Sequence, residues 1–173
     1  SLEAPEEIYF DQNLAAAGKP FHALGGMDVS PDGRWLLVLE DTTAFREYTL
    51  SVKDLETGQV VDQIPGVWNG TAWADDNRTF FYMTADSATR GNMVWRHVAG
   101  TGREADAKLF QEDDVLNNVG VHRSRSGKYI FISADEVGAR LGATGKAVPG
   151  YVACVMGDDG KVLPPGQIGK LAV

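Results

Sequence analysis

A chain of 173 residues with 43% hydrophobic and 23% charged side chains has the size and composition of one globular domain, with or without an appendage. Its formal net charge of −8 opposes the basic face that a phosphate backbone requires, which excludes nucleic acid as a partner. Cys154 is the single cysteine, so no internal disulfide forms. No apolar run reaches the ~18 residues of a membrane span and no secretion signal opens the chain, so a cytoplasmic protein with no membrane partner is expected.

The first predicted element is a short helix over residues 11–17, where Asp11 caps a run of good helix formers. Everything after it reads as strand and turn. Three stretches share one plan: Ser30-Pro31-Asp32-Gly33-Arg34 before an apolar run from Trp35, Ala74-Asp75-Asp76-Asn77-Arg78 before one from Phe80, and Ser124-Arg125-Ser126-Gly127-Lys128 before one from Tyr129. Gly33, Asn77 and Gly127 hold the equivalent turn position, and both residue types tolerate the left-handed backbone of tight hairpins. The intervals between them are 44 and 50 residues, the period of β-propeller blades.

Flanking strands complete the units. One precedes each turn, at 26–29, 70–73 and 119–123, and further strands follow in the first two units at 48–53 and 60–64, then at 93–98 and 108–111. Glu56-Thr57-Gly58 and Gly100-Thr101-Gly102 are turn signals between them. Four short antiparallel strands per unit describe an all-β propeller in about three partial blades. A β-sandwich with regular hairpins is the competing architecture, and the matched turns favour blades. After residue 136, strands at 151–156 and 168–173 flank Asp159-Gly160 and Pro164-Pro165-Gly166, giving a hairpin-like β-rich appendage over 137–173 beside the partial propeller of 1–136.

Aromatic residues Trp35, Phe80, Phe81, Tyr82, Trp95, Tyr129 and Phe131 fall in strands and are expected to pack between blades, whereas Trp68 sits in a loop-like stretch and is the better candidate for an exposed contact, although packing is favoured there too. His22, His97 and His122 are read as structural. No serine lies in a Gly-x-Ser-x-Gly turn, so no catalytic residue is assigned. Gly142-Ala143-Thr144-Gly145-Lys146 fails as a phosphate loop, because Arg140 stands where a glycine is needed and Ala147 where a magnesium-binding hydroxyl is needed. Gly100 to Ala105 fits a dinucleotide pattern but has no βαβ unit around it. The acidic runs Glu112-Asp113-Asp114 and Asp158-Asp159 lack the alternation of calcium loops, so no cofactor and no metal is assigned. Cys154 is read as a small buried hydrophobe, and the sequons at Asn69 and Asn77 as chance.

On Asp11-Gln12-Asn13, Gly18-Lys19-Pro20-Phe21, Val29 to Gly33 and above all Arg46 to Gly58, residues 6–136 resemble the propeller of oligopeptidase B and its prolyl oligopeptidase relatives. The resemblance implies a seven-bladed propeller covering a serine peptidase active site, in a complete enzyme that cleaves short peptides after basic residues. It makes a peptidase catalytic domain the expected partner, with self-association through open sheet edges as the alternative. Gly142 to Tyr151 and Asp158 to Val173 resemble a segment of acyl-CoA ligases of the benzoate-CoA ligase type, which implies a composite chain. Three functions stand: a non-catalytic propeller portion of a peptidase, inactive alone; a stand-alone or engineered binding or assembly module; and a fragment of an ATP-dependent acyl-CoA ligase.

Overall fold

A computed structural model describes residues 5–136, 154–156, 159, 161–164 and 170–172. Helix α1 (Gln12–Ala16) is capped by Asp11, whose carboxylate accepts from the backbone N–H groups of Asn13 and Leu14 at 2.9 and 3.1 Å. Seven antiparallel strands follow: β1 (Ala23–Val29), β2 (Trp35–Asp41), β3 (Tyr48–Asp54), β4 (Val60–Trp73), β5 (Thr79–Ala85), β6 (Gly91–Val98) and β7 (Ala107–Gln111), hydrogen-bonded in sequence order. Strands β8 (Asn117–Arg123) and β9 (Ile130–Glu136) form a separate antiparallel hairpin. Strands β10 (Cys154–Met156) and β11 (Lys170–Ala172) pair antiparallel with each other. The burial of Cys154 and the glycine-rich stretch 142–146 lie outside the described residues.

The seven-stranded sheet is two blades that share a strand. The first part of β4 pairs with β3 through Ile64–Leu50 and Asp62–Val52, while its last part pairs with β5 through Ala72–Phe81 and Trp73–Phe80. The sequence suggested two strands here with a loop over 66–70. Instead β4 runs as one strand of 14 residues, with breaks in its pairing, and bends where Gly66 and Gly70 take positive φ. Val67 bridges to Tyr48 on one side and Thr84 on the other, so the bend never leaves the sheet.

The three repeated turns are built alike. Ser30 accepts at its carbonyl from Gly33 and at its hydroxyl from Trp35, at 2.8 and 2.9 Å, and Ser124 does the same for Gly127 and Tyr129, at 2.9 and 3.1 Å. The middle turn has Ala74 in place of serine, and Asp76 takes over by accepting from the backbone of Arg78 and Thr79. Gly33, Asn77 and Gly127 all have positive φ, as the turns require. Asn77 does more than tolerate that geometry, since its carboxamide accepts from the Asp32 N–H of the preceding blade at 3.1 Å. The basic residue after the first two positions also has a use: Arg34 reaches Asp54 at 3.0 Å and Arg78 reaches the Ala99 carbonyl at 2.7 Å, tying inner and outer hairpins of a blade together.

Blades stack through two cores. Leu37, Leu39, Leu50, Val52 and Ile64 of the first blade pack against Trp73, Phe80 and Tyr82 of the second. Ala72, Met83 and Val94 of the second pack against Val119 and Val121 of the third. Trp73 is edge-on to Phe80 with centroids 5.2 Å apart, and its indole N–H donates to the Asp28 carbonyl of the first blade at 3.2 Å. Trp35, Phe80 and Tyr82 are buried as expected, and Phe81, Trp95 and Phe131 are half-buried. Tyr129 is not: it precedes β9 and is 51% exposed, because Ser124 holds its backbone in the turn.

Polar side chains also cross the first blade boundary. Asp62 of β4 accepts from the Gly100 and Gly102 backbone N–H groups and faces His97 Nε2 at 3.2 Å, while His97 Nδ1 faces Asp106 at 2.6 Å. The Tyr82 hydroxyl donates to Asp106 at 2.6 Å; burial pushes its phenol well above the ordinary range and this hydrogen bond adds to the shift. His97 is thus buried with both ring nitrogens facing carboxylates. Removing one partner of a buried charged cluster leaves the others unpaired. Asp62→Ala is expected to lower unfolding stability by about 3–5 kcal/mol in urea titrations.

Loop carboxylates titrate in the opposite direction to Tyr82. Burial alone would raise Asp41, but the Thr43 hydroxyl and the N–H groups of Thr43, Arg46 and Ala44 outweigh it and hold the group below its usual value. Asp76 is depressed in the same way by Thr79 and Arg78. A carboxylate with a depressed folded-state pKa stabilises the fold above its unfolded value of about 3.9, and that contribution disappears as pH falls through the folded value. The urea midpoint should therefore drop between pH 6 and pH 3, and drop less steeply in Asp41→Asn.

Candidate functional site

The blade ends differ in character. One end carries the repeated turns and the polar cluster just described. Loops of the opposite end, at 42–47 and 86–90, together with the bend of β4 and strand β8, border a cleft of about 700 Å³ between the three blades.

Each wall of the cleft has a local cause. Arg46 and Tyr48 come from the first blade, where the Asp41 carboxylate gathers the loop and accepts the Arg46 N–H at 2.9 Å. Ala44 and Arg46 consequently sit at φ 67° and 58°, in the left-handed region that side-chain-bearing residues seldom occupy. Trp68 comes from the bend of β4. It is half-buried and packs against the second core, in line with the packing favoured for it, but it stands on a strand rather than in a loop and forms a wall of the cleft. Trp68 lies over Gly91, whose absent side chain makes room for it. Asn118 and His122 come from β8.

Arg90 closes the far side. Its guanidinium donates to Asp86 at 3.0 Å and to the carbonyls of Asp114, Asn117 and Glu112 at 2.7, 2.6 and 3.2 Å. These bonds pin the β5–β6 hairpin to the segment that enters the third blade. The acidic run Glu112-Asp113-Asp114 is part of that connection: Glu112 accepts from the Asp114 N–H and the Asn117 amide. Among the described residues no group of three or more metal-ligating side chains converges.

The three histidines are far from equivalent. The His22 side chain is buried, 2.9 Å from Glu40 and stacked near Phe10. His97 lies in the polar cluster. His122 is exposed on the cleft. His122 and Ser133 both crowd the open face of Gly120, but no hydrogen bond joins them among the described residues. The glycine pattern over 100–105 is the connection between antiparallel β6 and β7, with a short 3-10 turn at Arg103–Ala105, and no βαβ unit surrounds it. Neither the Arg46–Trp68–Asn118 grouping nor the Asp62–His97–Asp106 cluster was visible in the sequence, since each joins residues from different blades.

Gly91 is the most sensitive position of the cleft. A Cβ there would stand 2.5 Å from the Trp68 ring. Gly91→Ala is expected to displace the indole, cost about 1–3 kcal/mol in urea unfolding, and change the tryptophan emission.

No helix of the described residues is long and apolar enough to cross a membrane. The family model of the prolyl oligopeptidase N-terminal beta-propeller domain matches residues 1–138. Dipeptidyl aminopeptidase BI of Pseudoxanthomonas mexicana is 36% identical over 150 residues, which cover 85% of this chain and 21% of the relative. Oligopeptidase B of Leishmania major superposes with a TM-score of 0.71 at 26% identity, over 75% of this chain and 18% of that one. Oligopeptidase B of Trypanosoma brucei gives 0.69 at 31% identity, over 77% and 19%. The chain thus spans about a fifth of the length of these relatives. An alignment over 85% of 173 residues extends past Val137, whereas the family model ends at residue 138. The ligase resemblance and the composite chain gain no support from these matches. With the family model covering most of its length and the blades in place, the chain belongs to the prolyl oligopeptidase N-terminal β-propeller family.

Proposed function

We propose that this chain is the non-catalytic propeller portion of an oligopeptidase B-like serine peptidase and has no peptidase activity by itself. The observation that carries this reading is the family match over residues 1–138 in a chain without a Gly-x-Ser-x-Gly nucleophile turn. The pair nearest to a hydrolytic arrangement, His122 and Ser133, lacks the hydrogen bond that would activate a nucleophile. In the complete enzyme the propeller restricts access to a catalytic domain, and cleavage follows basic residues. A cytoplasmic setting fits the single cysteine.

A second reading, an assembly module, is favoured by one observation. Strand β7 is the last strand of its sheet, and Leu109 on it is 45% exposed. Such edges pair with further strands. A concentration-independent monomer in light scattering would remove this reading.

The peptidase reading is tested with a chromogenic dipeptide substrate bearing a basic residue at the cleavage site. The chain alone should give no release above the buffer rate. Turnover that co-purifies with the chain and resists a change of purification route would overturn the proposal.

A further inference from the structure

The cleft between the three blades has no part in that reading, and its charge runs against the rest of the molecule. The chain carries 24 acidic residues, yet among the described residues the cleft wall contains no aspartate or glutamate, while Arg46, His122 and the Asp86-paired Arg90 border it. Its volume of about 700 Å³ is within the range of small-ligand sites.

Arg46 is the residue that gives the cleft a chemistry. Arg34, Arg78, Arg90, Arg103 and Arg123 each donate to a carboxylate or a backbone carbonyl. Arg46, like Arg96 and Arg125, has no such acceptor for its guanidinium among the described residues, and of these three it is the one that borders the cleft. Its backbone is nonetheless held fast, in a left-handed conformation, by Asp41. The hydrogen-bonded backbone sets the base of this exposed side chain beside the cleft, and its guanidinium is left open to a ligand. Beside it stand the Trp68 ring as an apolar wall and the Asn69 and Asn118 carboxamides as neutral donors. A guanidinium fork matches the two oxygens of a carboxylate.

We propose that this cleft binds a peptide carboxylate, with Arg46 as its charged anchor and Trp68 as the wall against the adjoining peptide. The proposal does not rest on the peptidase reading. It holds equally for a C-terminal carboxylate and for an acidic side chain, and the probes separate the two.

The test is a chemical-shift titration of the whole 15N-labelled chain with acetyl-Ala-Ala, its C-terminal amide, and acetyl-Glu amide. The Trp68 indole N–H and the Arg46 amide should move with acetyl-Ala-Ala if the chain end is bound, with acetyl-Glu amide if the side chain is, and not with acetyl-Ala-Ala amide. Arg46→Asn, which suits the left-handed position, should weaken binding by about tenfold or more, and Arg46→Lys should recover part of it. Asn118→Asp places an acid in an exposed part of the wall and should weaken binding similarly, so it carries the test if the Arg46 variants misfold. Equal shifts from acid and amide, reproduction of the shifts by sodium chloride at equal ionic strength, or unchanged affinity in Asn118→Asp and in a folded Arg46→Asn would each overturn the proposal.

Discussion

A four-stranded blade has two apolar faces and can bury neither alone, so each blade exists only against a neighbour. That constraint organises the molecule. Leu37, Leu50 and Ile64 of the first blade are buried because Trp73 and Phe80 of the second cover them, and Ala72, Met83 and Val94 are buried because Val119 and Val121 of the third do the same. The middle blade is therefore packed against another blade on each face. The strand shared by the first two blades follows from the same requirement. With Val67 bridging to both β3 and β5, the chain passes between blades without releasing backbone groups to a long loop, and the two sheets cannot separate without breaking the ladder.

Apolar contact between sheets is non-directional and leaves blade offset loosely specified. Directional bonds at the turn end set it. Trp73 donates to the Asp28 carbonyl, Asn77 accepts from Asp32, and Arg123 reaches Asp75 at 2.5 Å, one bond between successive blades after another. Farther out, Asp62 gathers two loop N–H groups and His97. Both nitrogens of His97 face carboxylates, so both contacts are hydrogen bonds together only when the ring carries two protons or a carboxylate carries one. A cluster with those demands is satisfied at one blade offset and poorly at others, which gives it a registering role beyond any net stabilisation.

Local chemistry was legible in the sequence and long-range pairing was not. Gly33, Asn77 and Gly127 announced their turns because a positive φ restricts residue choice at that position alone. The Asp11 cap was equally plain, since its partners are two and three residues away. The continuity of β4 was hidden because Pro65, Gly66 and Gly70 are ordinary loop residues, and only pairing with β3 and β5 makes a bent strand of them. Trp68 was set in a loop for the same reason, and its wall position depends on Gly91, 23 residues later. His122 carries no local signal that separates it from His97: one is exposed and the other buried by the packing of blades that their neighbours in sequence do not reveal.

The contrast between an acidic chain and an acid-free cleft has a structural origin in how the loops are closed. At the cleft end, Asp41 and Asp86 turn their carboxylates back onto their own loops, toward backbone N–H groups of Thr43, Ala44 and Arg46 in one and of Ala88 and Arg90 in the other. Both groups are held below the usual carboxylate range; for Asp86 the Arg90 backbone is the main cause, and for Asp41 the loop donors outweigh the effect of burial. Tight loops need such acceptors, because few of their N–H groups have strand partners. The acids are thereby committed to the loop interior, while the side chain of Arg46, whose own N–H is among those captured, is left to face outward. Net charge of −8 is thus compatible with a basic concavity. The same hydrogen bonds that fold the loop at residues 42–47 also set the sign of the surface it presents.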